Sequence, residues 1–238
     1  MAAPVADKII LPLDTGNTGK KVRTQTRVVG ADTVHEHYFV KLDRPGEFYR
    51  LCQFGAVYTG IAAGSATAGH IYAFRWGSST HAARITRIRI KRQTIVPATA
   101  TVEFATALFR LTGYTASHTG GTAATLTSPN CKLDVSSADT RLTDSRITSG
   151  TALTAGTHTL DAQPFAADSM DMPATATTTE RFASQVLVEY DSEKGRPLIL
   201  RQNTGFIVRN EITMGAAHTV RPVVEVDWEE VLLADLDL

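Results

Sequence analysis

The sequence predicts an all-β chain folded as an antiparallel β-sandwich of jelly-roll type, and three features predict it. The first is the stretch VRPVVEVDWEEV from Val220 to Val231. Val220, Val224, Val226 and Trp228 share one parity, while Arg221, Glu225, Asp227 and Glu229 share the other. Side chains on a strand alternate between faces, so this segment has an apolar underside and a charged top. The second feature is a succession of short strand-like segments joined by Gly- and Thr-rich turns, the spacing expected of a sandwich. The third is composition. Of 238 residues, 33 are Thr, a β-branched residue suited to the solvent faces of strands and the loops between them.

Residues 1–30 read as an extended N-terminal arm. The run Asp14-Thr-Gly-Asn-Thr-Gly19 is dense in turn formers, and Lys20-Lys21-Val22-Arg23 follows with little apolar content. Too polar to fold alone, such a segment is either disordered or laid across a partner. Residues 31–238 read as a single β-sandwich domain. Its strands begin with Val34–Leu42, Tyr49–Tyr58, His70–Trp76, Arg84–Val96 and Thr101–Leu111. The last of these alternates well, with Val102, Phe104 and Leu108 on one face. In Arg84–Lys91 the isoleucines at 85, 88 and 90 change parity once, which predicts a bulge or an irregular edge.

From Gly113 to about Thr179 the chain turns rich in Thr, Ala, Ser and Gly. Short apolar stretches at Ala123–Leu126, Arg146–Thr148 and Thr157–Leu160 predict a long, elaborated connection with short strands of its own. Strands resume at Phe182–Tyr190, Pro197–Arg201 and Gly205–Thr213. Asn203-Thr-Gly205 between the last two predicts a hairpin turn with Gly at positive φ. Helical periodicity is confined to the acidic tail Glu229–Leu238.

Composition narrows the function classes. At 43% hydrophobic residues the chain can build a core. Lys+Arg and Asp+Glu both number 24, which speaks against generic nucleic-acid binding through a basic body. Cys52 and Cys131 match no zinc or redox spacing and read as free thiols. Asp7 and Lys8 interrupt the apolar core that a secretion signal needs, and no run approaches the roughly 20 apolar residues that span a bilayer. The expected site of synthesis and assembly is a cytoplasm.

Candidate chemistry is sparse. His35 and His37 in a strand share one face about 6.5–7 Å apart, within reach of a shared metal, but no third ligand follows at a recognisable spacing. A solvated strand face is the plainer reading. Asp134, Asp139 and Asp144 recur every five residues, and Asp168 and Asp171 lie close together, without the ligand alternation of a calcium loop. Gly64-Ser65 lacks the strand-turn-helix context of a nucleophile elbow, and Gly113, Gly120 and Gly121 open no helix. No residue is therefore assigned to catalysis, cofactor binding or metal binding. Arg84, Arg87, Arg89, Lys91 and Arg92 form the one concentrated basic segment. They can present a cationic strip to phosphates, or pair with acidic residues of neighbouring strands or of a partner subunit.

Three blocks carry a resemblance: the arm LDTGNTGKKVRTQTRVVGADTVHEHYFV; Tyr72-Ala-Phe-Arg-Trp-Gly-Ser-Ser-Thr80 leading into RITRIRIKR; and PLILRQNTGFIVRN with the close VVEVDWEEV. In wording and order they resemble virion structural proteins of tailed bacteriophages, over most of the chain. The chain also resembles capsid decoration, or cement, proteins, which use sandwich modules and extended arms. The resemblance implies a non-enzymatic protein of the virion, assembled in the host cytoplasm, binding the major capsid protein as a homotrimer and needing no cofactor, membrane or specific nucleic acid. Lys20, Lys21, Arg23, Arg84, Arg87 and Arg89 are nominated as partner-binding residues. A tail, baseplate or fibre-anchoring protein is the first alternative. A carbohydrate-binding β domain is the second, with few aromatics available to stack on sugars.

Overall fold

The computed structural model describes residues 23–29, 32–38, 47–59, 69–96, 102–127, 130–150, 152–154, 156–172, 181–190, 197–212 and 219–236. The chain divides into two compact units, Met1–Pro45 and Gly46–Leu238. In the first, β1 (Arg23–Val29) pairs antiparallel with β2 (Asp32–Tyr38), from Arg23 opposite Tyr38 to Val29 opposite Asp32. Strand β1 thus lies in the segment read above as an arm. Its Thr24, Thr26, Val28 and Val29 are β-branched and favour extended backbone.

The second unit holds β3 (Glu47–Phe54), β4 (Tyr58–Thr59), β5 (His70–Trp76), β6 (His81–Val96), β7 (Val102–Ala116), β8 (Thr122–Ala123), β9 (Leu142–Ile147), β10 (Thr157–Leu160), β11 (Ala166–Met172), β12 (Arg181–Glu189), β13 (Leu198–Leu200), β14 (Thr204–Asn210), β15 (Thr219–Leu232) and the short helix α1 (Leu233–Leu236). The helical tail anticipated from Glu229 begins only at Leu233, because β15 carries its alternation of buried and outward residues through Glu230.

Eight of these strands form a jelly roll. In chain order they are β3, β5, β6, β7, β11, β12, β14 and β15. The first pairs with the last, the second with the seventh, the third with the sixth and the fourth with the fifth, all antiparallel. This is a long hairpin rolled into two sheets, ordered β12-β6-β15-β3 and β11-β7-β14-β5. The predicted sandwich is therefore the observed fold. The Thr/Ala/Gly-rich connection between β7 and β11 supplies the extra strands of the second sheet, while β4 and β13 add to the first. Strand β9 extends the second sheet beyond β5, β8 pairs with β9, and β10 shares the outer edge of β7 with β11.

The core lies between the sheets. Ile85, Ile88 and Ile90 of β6 and Val224, Val226 and Trp228 of β15 meet Tyr72, Phe74, Phe206, Val208 and Leu108 of the other sheet. The predicted bulge is at Thr86. Asp227 stands opposite Arg87 and Trp228 opposite Ile85, so Thr86 is the extra residue, and its hydroxyl donates to Asp227 O. That one residue puts all three isoleucines on the inner face.

The outer faces of the two sheets differ. Behind the second sheet Ala73, Ala107, Phe109, Leu111 and Ile207 form a further buried cluster with Leu153 of the long connection. Burial on both faces explains why β5 and β14 are almost continuously buried. The outer face of the first sheet has no such cover among the described residues, and it remains exposed.

The turn at Asn203-Thr-Gly205 corrects the sequence reading. It is Asn203 that has φ 58, while Gly205 is a strand residue. A Cβ on Gly205 would run into the carbonyl oxygen of Phe74, so this glycine is required for close backbone approach. Strand β13 belongs to the first sheet and β14 to the second, so the turn joins two layers and closes no hairpin.

Candidate interaction surface

Because β6 and β15 are long and paired, and the bulge at Thr86 keeps Arg84 and Arg87 on the same face, their outward residues fall into columns and rows. On β6 the outward column is cationic: Arg84, Arg87, Arg89, Lys91. On β15 it is acidic at Glu229, Asp227 and Glu225, followed by Val223. The neighbouring strands complete four rows. The first row is Ile199, Arg84, Glu229, Phe48. The second is Glu189, Arg87, Asp227, Arg50. The third is Val186, Arg89, Glu225, Cys52. The fourth is Ser184, Lys91, Val223, Phe54.

Ion pairs run along these rows and diagonally. Arg84 Nη1 lies 2.9 Å from Glu229 Oε2 and Arg87 Nη2 lies 3.0 Å from Asp227 Oδ2. Arg50 Nε approaches Asp227 Oδ1 at 2.7 Å, and Lys91 Nζ approaches Glu225 Oε1 at 2.5 Å. The carboxylates of Glu225, Asp227 and Glu229 are more shielded from solvent than the cations around them. Each guanidinium has five N–H donors, so donors remain beyond those its own carboxylate takes. Along the two rims apolar side chains stand out: Phe48 is 46% exposed, Phe54 67%, Val186 41% and Ile199 37%. The face therefore has a charged centre and exposed apolar side chains along its rims.

Of the nominated contact residues, Arg84, Arg87 and Arg89 come together on this face, each paired within the chain, as one of the two sequence readings had it. Arg92, read with them, turns inward. It donates to Thr106 Oγ1 and Asn210 Oδ1 and lies over the Phe104 ring. Arg23 heads β1. Lys20 and Lys21 lie outside the described residues.

The other sequence candidates are dispersed. His35 and His37 sit in β2, opposite Thr26 and Thr24. Asp134 caps its own turn by accepting from Ser136 N and Oγ, while Asp139 pairs with Lys132 and Asp144 with Arg146. Among the described residues no group of three or more His, Cys, Asp or Glu is placed to hold a metal ion. Cys52 and Cys131 are free thiols beside one groove of about 340 Å³ between β3 and Thr122–Thr125. Burial raises both, Cys131 to about 11, so neither is a ready thiolate at neutral pH.

Two polar clusters escaped the sequence reading. Tyr114 Oη stands 2.5 Å from His118 Nδ1, and His118 Nε2 stands 3.2 Å from His70 Nδ1, with the His158 ring stacked on His118. Burial lowers His70 to about 4 and His118 to about 3, so the cluster is neutral near pH 7. In the second cluster the buried Glu230 accepts from Thr140 Oγ1, Arg141 N and Arg141 Nη1, and the same Nη1 donates to Glu47. Most of these partners lie far apart in the chain, and no local motif announces them.

No protein-family model matches this chain. No curated protein matches it. Among solved structures, a chain in the structure of infectious bursal disease virus Gx strain matches at 11% identity with a TM-score of 0.18. That match covers 91% of this chain and 47% of the viral one, so this chain spans about half its length.

Proposed function

We propose that this protein is a non-enzymatic structural protein of a phage virion, a cement protein that binds the outside of the capsid shell and stabilises it. What supports the reading most is the make-up of the second unit: a jelly roll whose one sheet is covered on both faces and whose other presents a broad charged face with apolar rims. The N-terminal unit, with Lys20, Lys21 and Arg23, provides a second point of attachment in the same chain. Two linked weak contacts bind far more firmly than either alone, because the second forms at high effective concentration.

The test is addition of the purified full chain to emptied capsid shells that lack it. The expected result is co-sedimentation with the shells and a rise in their disruption temperature, since a ligand that binds only the intact lattice stabilises it by mass action. A chain lacking residues 1–22 should remain β-rich by circular dichroism and lose shell binding. Absence of binding, with the protein found in tail fractions of purified virions, would move it to the tail or baseplate. Turnover of a glycan would overturn the structural reading altogether.

A further inference from the structure

We propose that the exposed face of the first sheet pairs with the same face of a second copy of this chain. The two copies are related by a two-fold axis parallel to the strands, running between β6 and β15. The pairing takes from the proposed function only that this face is an interaction surface, and it names the partner.

The rows carry the argument. A two-fold axis along the strands keeps each row opposite itself and reverses its order. In the first row Ile199 then meets Phe48 of the second copy, Arg84 meets Glu229, Glu229 meets Arg84 and Phe48 meets Ile199. In the second row Glu189 meets Arg50 and Arg87 meets Asp227, each contact occurring twice. In the third, Arg89 meets Glu225 and Val186 meets Cys52. Three successive rows are therefore complementary to their own reversal, in charge and in apolarity. An isologous contact requires this self-complementarity.

The opposite choice of axis fails. An in-plane axis across the strands sets column β6 on column β6, arginine against arginine, and aspartate and glutamate against one another. Like-charge juxtaposition of that kind is strongly disfavoured. The two columns thus select one orientation and reject the other. Stacked sheets sit about 10 Å apart, a gap that an arginine and a carboxylate from opposite faces can span together. Twist rotates the outer rows out of alignment, and the fourth row, where Lys91 meets Val223, is the one without complementarity.

Size sets the strength. Four strands by some eight residues give roughly 20 by 25 Å, about 500 Å² per partner, at the low end of specific interfaces. The expected state is a weak, reversible dimer that salt dissociates, with affinity falling about tenfold between 0.1 and 1 M NaCl as the exposed ion pairs are screened.

The closing experiment has two parts, both on the full chain. Sedimentation equilibrium over a range of concentrations should show monomers passing to dimers. Arg87→Glu and Asp227→Lys should each lose the dimer, and an equimolar mixture of the two should regain it, because reversed charges then meet across the axis. Val186→Cys should form a covalent dimer through native Cys52 of the other copy on oxidation with copper phenanthroline. The same variant carrying Cys52→Ser should not, since the two introduced thiols lie on opposite rims. A monomer up to about 1 mM, a trimeric mass, a mixture that stays monomeric, or a dimer of the Val186→Cys variant that resists cross-linking through Cys52 would each overturn the proposal. A monomer that still binds shells would overturn the pairing while leaving the cement reading in place.

Discussion

The β6–β15 pair and the long connection from residue 117 to residue 165 are held in place by different physics. The strands pair from Thr219 to Leu232, broken only by local register shifts, and bury one face while the other turns outward. Their stability comes from apolar burial repeated every second residue. The connection has short strands and is fastened by separate polar anchors. Ser145 Oγ lies 2.6 Å from both Gln53 Oε1 and Tyr72 Oη. Arg141 joins Glu47 to Glu230, and Arg50 N donates to Cys131 O along the edge of β3. These anchors cover the edge strands β3 and β5, which would otherwise offer unpaired backbone to another chain. The difference teaches that one sandwich can be built by periodicity at its centre and by single contacts at its border.

The largest expected effect tests the centre. Trp228 is fully buried, stacked on Tyr49 at 5.5 Å and edge-on to Phe74 at 5.4 Å. Trp228→Ala should cost about 3–5 kcal/mol in denaturant unfolding, because nothing nearby can fill the space. A loss below about 1 kcal/mol would show that the centre is not what holds the sandwich.

The histidine cluster tests the border next. His70 opens β5, His118 follows β7 and His158 lies in β10, with Tyr114, Arg146, Arg209 and Glu211 as the other titratable or charged groups that act on them. Both His70 and His118 have folded values below the unfolded 6.5. Their neutral forms therefore contribute stability that is fully present above pH 6.5 and is lost as pH falls toward the folded values. By pH 5 the pair should have lost about 2–4 kcal/mol. Carboxylates elsewhere change stability in the same direction, so the comparison needed is with His118→Gln. That variant should show a visibly shallower fall between pH 7 and 5. An identical fall would remove the cluster from the border's anchors.

Arg141→Ala should cost about 2 kcal/mol, since it leaves the buried Glu230 carboxylate with one partner fewer. The loss should be accompanied by faster amide exchange in the segment around β9, while β6 and β15 keep their protection. Uniform loss of protection would mean that border and centre open as one unit.

Much of the centre was legible because its physics is periodic. The alternation in Val220–Val231 marked a strand and both of its faces, and one parity change among Ile85, Ile88 and Ile90 placed the bulge. The charged outer face was legible only in part. Arg84, Arg87 and Arg89 stood out as a basic run, and Glu225, Asp227 and Glu229 as a charged top, yet nothing local shows that the two runs lie side by side. That follows from the roll, which sets the eighth strand beside the third. The rims were less visible still, since Phe48, Val186 and Ile199 look like ordinary strand residues. The inward turn of Arg92 and the burial of Glu230 place charged groups where alternation expects apolar ones, so periodic reasoning misses both. Asn203 took the positive φ expected of Gly205 because Asn tolerates the left-handed region and the glycine was needed for close packing.

The smallest effect on stability decides what the exposed face is for. Glu225 meets Lys91 at 2.5 Å and Arg89 at 3.7 Å on a face open to solvent. Ion pairs of this kind contribute little, because water and salt screen them and two long side chains must be held still. Glu225→Ala should therefore shift unfolding by only about 0.5–1 kcal/mol. In the proposed dimer the same carboxylate also faces Arg89 of the second copy, and it does so twice about the axis. Self-association should then weaken by about tenfold, a change out of proportion to the loss of stability, because each substitution removes two contacts across a small interface. Unfolding and sedimentation measured on one preparation separate the two roles. A large loss of stability with unchanged association would make the charged rows part of the fold alone, whereas a small loss with weakened association marks them as a surface made for a partner.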